Sequence, residues 1–96
     1  MEPTVDLVLL SRDGCHLCEE MLAVVRQVAA ERPGVRVEVR DVDSDVELRE
    51  RYGEEVPVLL IDGQRAFKYR VGAAELRRRL DAGNTRGWRR ILARLR

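Results

Sequence analysis

Apolar and polar residues change their rhythm several times along this 96-residue chain. Val5-Asp6-Leu7-Val8-Leu9-Leu10 is a nearly unbroken apolar run of strand length, so a short buried strand is expected near Thr4–Leu10. From about Gly14 or Cys15 the period lengthens. Cys18, Met21, Leu22, Val25, Val28 and Ala29 recur at three- and four-residue steps, which puts them on one face of a helix that Pro33-Gly34 ends. Val35, Val37 and Val39 then alternate with Arg36, Glu38 and Arg40, the pattern of a strand with one wetter face. Asp43 or Ser44 stands where it can cap a second helix through Val46, Leu48 and Tyr52, stopping at Gly53. Val58–Ile61 is apolar without interruption, as in a central strand covered on both faces. Asp62-Gly63 is a hairpin-turn pair leading to a fourth strand around Arg65–Tyr69. Ala73–Leu80 suits a last helix, ended by Gly83.

The order β-α-β-α-β-β-α defines an α/β fold. A helical crossover makes the first two strands parallel, and the tight hairpin makes the last two antiparallel. The expected result is a four-stranded mixed sheet with helices on both faces. Residues 1–83 form this domain; residues 84–96 form a basic amphipathic C-terminal helix or tail. In that tail Trp88, Ile91, Leu92 and Leu95 fall at i, i+3, i+4 and i+7, with Arg89, Arg90, Arg94 and Arg96 elsewhere and Thr85 as a candidate cap. A segment so short needs something to pack on, and the domain's own core is the expected partner.

Composition adds limits. With 45% hydrophobic and 36% charged residues, the chain is of globular type and long enough for one core. The net charge of +1 conceals an asymmetry: residues 1–55 carry 14 acids against 7 arginines, and residues 56–96 carry 3 acids against 11 Arg and Lys. Such a dipole steers partners more than it shapes a fold. Met1-Glu2-Pro3 lacks the basic residues of a secretory signal, and no apolar stretch has the length of a membrane span. A cytoplasmic, monomeric protein without membrane or nucleic-acid partners is therefore expected. In a reducing compartment a purely structural disulfide is disfavoured.

That matters because the only two cysteines stand in Cys15-His16-Leu17-Cys18, at the expected junction of strand and helix. Thiols three positions apart lie one helical turn apart and close a disulfide with little rearrangement. At a helix N-terminus the first thiol meets free backbone N–H groups that favour its thiolate. Cys15 is thus the expected nucleophile and Cys18, on the apolar face, the resolving thiol. A protonated His16 beside Cys15 would stabilise the thiolate, and Arg12 can hold an anionic substrate group or help to acidify the thiol. Zinc within one chain is not expected, since Cys15, Cys18 and His16 supply at most three of four ligands.

Three landmarks give the chain a resemblance. Ser11-Arg12-Asp13-Gly14-Cys15-His16-Leu17-Cys18 resembles the active-site segment of glutaredoxins, in which a basic residue stands three before the first cysteine. Glu55-Val56-Pro57 resembles their Thr-Val-Pro loop, and the element order over residues 4–82 is similar too. The match is nearer to the small bacterial glutaredoxin-like proteins of the thioredoxin fold. It implies a cis Val56–Pro57 bond, with Val56 and Pro57 presenting backbone to an extended substrate. Three positions depart from the pattern: His16 replaces a proline, Glu55 replaces the threonine, and the Gly-Gly-acid grip on glutathione is reduced to Val71-Gly72-Ala73-Ala74-Glu75. Arg12, Glu55, Val56, Pro57 and Gly72 are the substrate-binding candidates.

The resulting expectation is a dithiol oxidoreductase that reduces protein disulfides or mixed disulfides through Cys15 and Cys18. No cofactor is held, and glutathione is a candidate co-substrate. Two other readings stay open: a non-catalytic redox-responsive module that binds through its basic tail, and a dimer carrying an iron–sulfur cluster between two Cys15 thiolates and two exogenous thiols.

Overall fold

A computed structural model describes residues 4–82. Its elements are β1 (Val5–Ser11), α1 (His16–Ala30), β2 (Val35–Asp41), a 3-10 turn (Val42–Ser44), α2 (Val46–Tyr52), β3 (Val58–Ile61) and β4 (Gln64–Lys68). Residues 73–82 are helical and are called α3 below. The tail reading, and the end of the last helix at Gly83, lie outside the described residues.

The sheet order is β2-β1-β3-β4. β1 pairs parallel to β2, with Leu7 opposite Val37, and antiparallel to β3, with Leu10 opposite Val58. β3 pairs antiparallel to β4 across the Asp62-Gly63 turn, where both residues take positive φ, 49° and 83°. Asp62 also ties the turn to β1: its Oδ1 accepts from the Asp6 N–H at 2.9 Å, and its own N–H donates to the Asp6 carbonyl at 2.8 Å.

Because successive strand residues point to opposite faces, the apolar runs of β1 and β3 feed two cores. Leu7, Leu9 and Leu59 meet Met21, Val25 and Val28 of α1 and Leu76 and Leu80 of α3. On the other face Leu10 and Val58 meet Val42, with Leu48 and Tyr52 of α2 packed around them. Leu7, Leu9, Leu10, Val58 and Leu59 are all fully buried, which is why both strands read as continuous apolar runs. The fold is thioredoxin-like, a mixed four-stranded sheet with helices on both faces.

Four local expectations shift. β1 runs one residue later than expected, to Ser11. α2 is capped by Asp45, whose carboxylate accepts from the N–H groups of Glu47 and Leu48 at 2.8 and 3.3 Å. Asp43 and Ser44 are committed elsewhere: the Asp43 carboxylate to Arg12, the Ser44 hydroxyl to the Asp41 carbonyl at 2.7 Å. Val46, counted in the apolar stripe of α2, is 59% exposed. β4 stops at Lys68, because Tyr69 takes a left-handed backbone conformation with φ 69°.

Candidate active site

The segment between β1 and α1 turns sharply at Gly14, whose φ of 74° suits a residue without Cβ. The turn is closed by the Cys15 N–H donating to the Arg12 carbonyl at 3.3 Å. Cys15 then occupies the N-cap of α1 in extended conformation (φ −93°, ψ 108°). Its Sγ stands where a capping oxygen usually stands and accepts from the Cys18 N–H at 3.1 Å. Cys15 and Cys18 are joined in a disulfide with Cα atoms 5.2 Å apart. Cys15 is part-exposed, whereas Cys18 is only 4% exposed and faces the core beside Met21. One cysteine of the pair is therefore within reach of solvent and the other is not. When the bond is reduced, the N–H that points at Cys15 Sγ and the positive end of α1 both favour negative charge on that sulfur.

The other expected site residues fall into distinct surroundings. His16 is exposed and lies along the helix, its Nε2 3.4 Å from Glu20 and its Nδ1 4.0 Å from Glu19. Arg12 is built into the scaffold. Its Nε and Nη2 clasp the Asp43 carboxylate at 2.9 and 3.0 Å, and Nη1 donates to the Gly53 carbonyl at 3.0 Å. It thus ties the dithiol turn to both ends of the segment that carries α2. The bidentate bond from Arg12, followed by the charge of the guanidinium, outweighs desolvation and holds the Asp43 carboxyl below its ordinary value of 3.8, while Arg12 is raised in return.

A pH dependence follows from that pair. Asp43 binds a proton less readily folded than unfolded, so its contribution to stability is full above the ordinary carboxylate range. It is lost as the pH falls through the lowered folded value. Glu31, held low by Arg77 of α3, acts in the same direction. Arg12→Gln should therefore lower the melting temperature at pH 7 and narrow the difference from wild type toward pH 3. An undiminished difference at pH 3, measured by thermal melts across the range, would remove Asp43 from this account.

The Val56–Pro57 peptide bond is cis. Pro57 is buried, and its carbonyl accepts from the Tyr69 N–H at 2.8 Å. Since Leu10 pairs with Val58, this loop and the dithiol turn leave neighbouring strands at the same end of the sheet. Glu55 turns toward β4, where Arg65 Nη1 donates to its two oxygens at 2.6 and 3.1 Å and Lys68 Nζ lies 3.5 Å away. Gly72 precedes α3: its carbonyl accepts from Leu76, and its N–H donates to Glu75 Oε1 at 3.3 Å. That N–H is thus met from within the chain.

Asp43, Arg65, Lys68 and Tyr69 join this end of the fold without having been expected there as site residues from the sequence. Asp43 reaches Arg12 across 31 positions, a distance over which residue type gives no signal. Tyr69 lines a groove of about 400 Å³ with Arg70, Val71 and the Glu20–Val24 side of α1. Among the described residues, no three His, Cys, Asp or Glu side chains converge as metal ligands. No helix among them is long and apolar enough to cross a membrane.

A CxxC pair at the head of the first helix, on a thioredoxin-like sheet with a cis-proline loop beside it, defines a glutaredoxin-like thioredoxin-fold domain. Residues 6–81 match the family model described as Glutaredoxin-like domain (DUF836), and the chain belongs to that family. It is similar to protein XcR50 from X. campestris, with 34% identity and a TM-score of 0.66, over 79% of this chain and 96% of that one. Protein Ne2328 from Nitrosomonas europaea matches at 32% identity and a TM-score of 0.66, over 79% of this chain and 89% of that one. A malaria-parasite thioredoxin-2 shares the fold, with a TM-score of 0.65 at 15% identity and 85% coverage of each chain. Among curated proteins, none matches the chain.

Proposed function

We propose that the protein is a dithiol thiol–disulfide oxidoreductase that reduces protein disulfides or mixed disulfides in the cytoplasm. The observation that carries this reading is the unequal pair at the head of α1. Cys15 is part-exposed and its Sγ accepts a helix N–H, while Cys18 is buried and bonded to it. In the reduced protein the Cys15 thiolate attacks one sulfur of a substrate disulfide, forms a mixed disulfide and expels the other sulfur as thiolate. Cys18, deprotonated, then attacks Cys15 Sγ and expels the second substrate thiolate. Two electrons pass to the substrate, and the protein is left with the Cys15–Cys18 bond. A thiol donor must return the electrons, and glutathione is the candidate.

Turnover of a small neutral disulfide by the purified protein, with reductant supplied, tests the reading; no turnover by wild type would reject it. Trapping with Cys18→Ser, followed by mass spectrometry of whatever stays attached, would identify the substrate. In a glutathione-coupled assay we expect weak turnover compared with an orthodox glutaredoxin run alongside. The reasons are that Glu55 adds a carboxylate near the cis-proline loop and that the Gly72 N–H already has Glu75 as its acceptor. Glu55→Thr should improve the apparent affinity for glutathione. Turnover equal to that of the orthodox enzyme would contradict this view of both positions.

A further inference from the structure

Two cations of β4 converge on one carboxylate beside the cis-proline loop. The register of β3 against β4 shifts between Leu59 and Leu60: Leu59 opposes Phe67 and Leu60 opposes Arg65, which leaves Ala66 as the extra residue of a bulge. In a regular strand Arg65 and Lys68, three apart, would point to opposite faces. The bulge brings them to the same side, and both reach Glu55. The Glu55 side chain is 26% exposed, while those of Arg65 and Lys68 are 51% and 50% exposed. The anion is thus the more covered member, and two positive charges stand against its one.

We propose that Arg65 and Lys68 form an anion subsite beside the cis-proline loop, at the dithiol end of the sheet, which Glu55 fills with its own carboxylate. The protein then accepts disulfides that carry a carboxylate near the reacting sulfur less readily than it would with the subsite open. Arg65 Nη1 is already shared between both oxygens of one carboxylate, and an arriving anion also meets the charge of Glu55. The consequence for substrate choice rests on the disulfide exchange proposed above. The electrostatic part does not, because it acts on any anion that approaches Cys15.

Alkylation reads it directly. The full-length reduced chain, carrying Cys18→Ser so that Cys15 stays free, is treated with iodoacetate, an anion, and separately with iodoacetamide, which is neutral. Both react with the same thiolate, so the ratio of their rates reports local charge independently of the thiol's acidity. Glu55→Gln should raise the iodoacetate-to-iodoacetamide ratio by up to roughly fivefold, the upper bound set by a unit charge at contact distance in a watery site. Arg65→Gln combined with Lys68→Gln should lower it by a similar factor, and about 1 M salt should suppress both changes. Ratios that stay fixed in all variants would overturn the subsite.

A second arm follows reduction of dithiodiglycolate, 2-hydroxyethyl disulfide and cystamine by the Cys15–Cys18 protein, with and without Glu55→Gln. The substitution should shift preference toward the anionic member, mainly through KM. If wild type reduces none of the three while the alkylation ratio moves, the oxidoreductase reading fails and the subsite stands. If the neutral disulfide is reduced while ratio and preference both stay fixed, the subsite fails and the reading stands.

Discussion

Alkylation of the reduced protein near neutral pH should modify Cys15 much faster than Cys18, by roughly tenfold or more. An ordinary thiol with a pKa of about 8.5 is only a few per cent thiolate at pH 7, and placement at a helix N-terminus commonly lowers that value by a unit or more. Cys15 holds that placement, with the Cys18 N–H aimed at its sulfur, whereas Cys18 is 4% exposed and faces the apolar core. Burial without a cationic partner raises a thiol's pKa and also blocks the reagent. Both effects therefore act in the same sense. Cys15→Ser should abolish disulfide exchange, while Cys18→Ser should retain the first step and accumulate mixed disulfide. Equal labelling of the two thiols, or faster labelling of Cys18, would reverse the assignment of nucleophile and resolving thiol.

Leu59→Ala should cost about 2–5 kcal/mol of stability, the range for emptying a fully buried leucine site. Leu59 is fully buried in the third strand of the chain, packed in the core that α1 and α3 share. Both neighbouring strands are hydrogen-bonded to its own, so the backbone there has little room to collapse into the space left. Against a total of about 5–15 kcal/mol for a domain of ordinary stability, such a loss is large. A melting temperature lower by roughly 10 °C or more is the expected reading. Val46→Ala, at a site 59% exposed, is the matched control and should stay within about 0.5 kcal/mol. Similar losses at the two positions would mean that the sheet does not hold the core described.

What could be read without coordinates was whatever depends on near neighbours in sequence. The apolar runs of β1 and β3, the helical spacing from Cys18 to Val28 and the Asp62-Gly63 turn each declare themselves within a few residues. The parallel sense of β1 with β2 and the antiparallel sense of β3 with β4 then follow from a helical crossover and a tight hairpin, whereas the pairing of β1 with β3 joins segments far apart in the chain and no local pattern declares it. The cap of α2 was misplaced because Asp43, Ser44 and Asp45 are equally good capping types, and only the distant Arg12 decides which of them is left free. Glu55 shows a different limit. Its charge was visible, but the cations that answer it lie 10 and 13 positions away and are brought together by a one-residue bulge. A bulge inverts the alternation on which strand reading rests, and strict alternation would put Arg65 and Lys68 on opposite faces.

The place of β1 in the sheet also bears on the birth of the chain. The first strand to leave the ribosome is an inner one, flanked by β2 on one side and β3 on the other. β2 follows soon after α1, but the second edge of β1 has no partner until residue 61 has emerged. At about 5–20 residues per second, that interval lasts several seconds. Throughout it, Leu7, Leu9 and Leu10 sit on a strand with at least one open edge. A pause in translation before β3 has emerged would lengthen exposure of these apolar side chains, whereas a pause once Ile61 has left the ribosome would find that edge already closed.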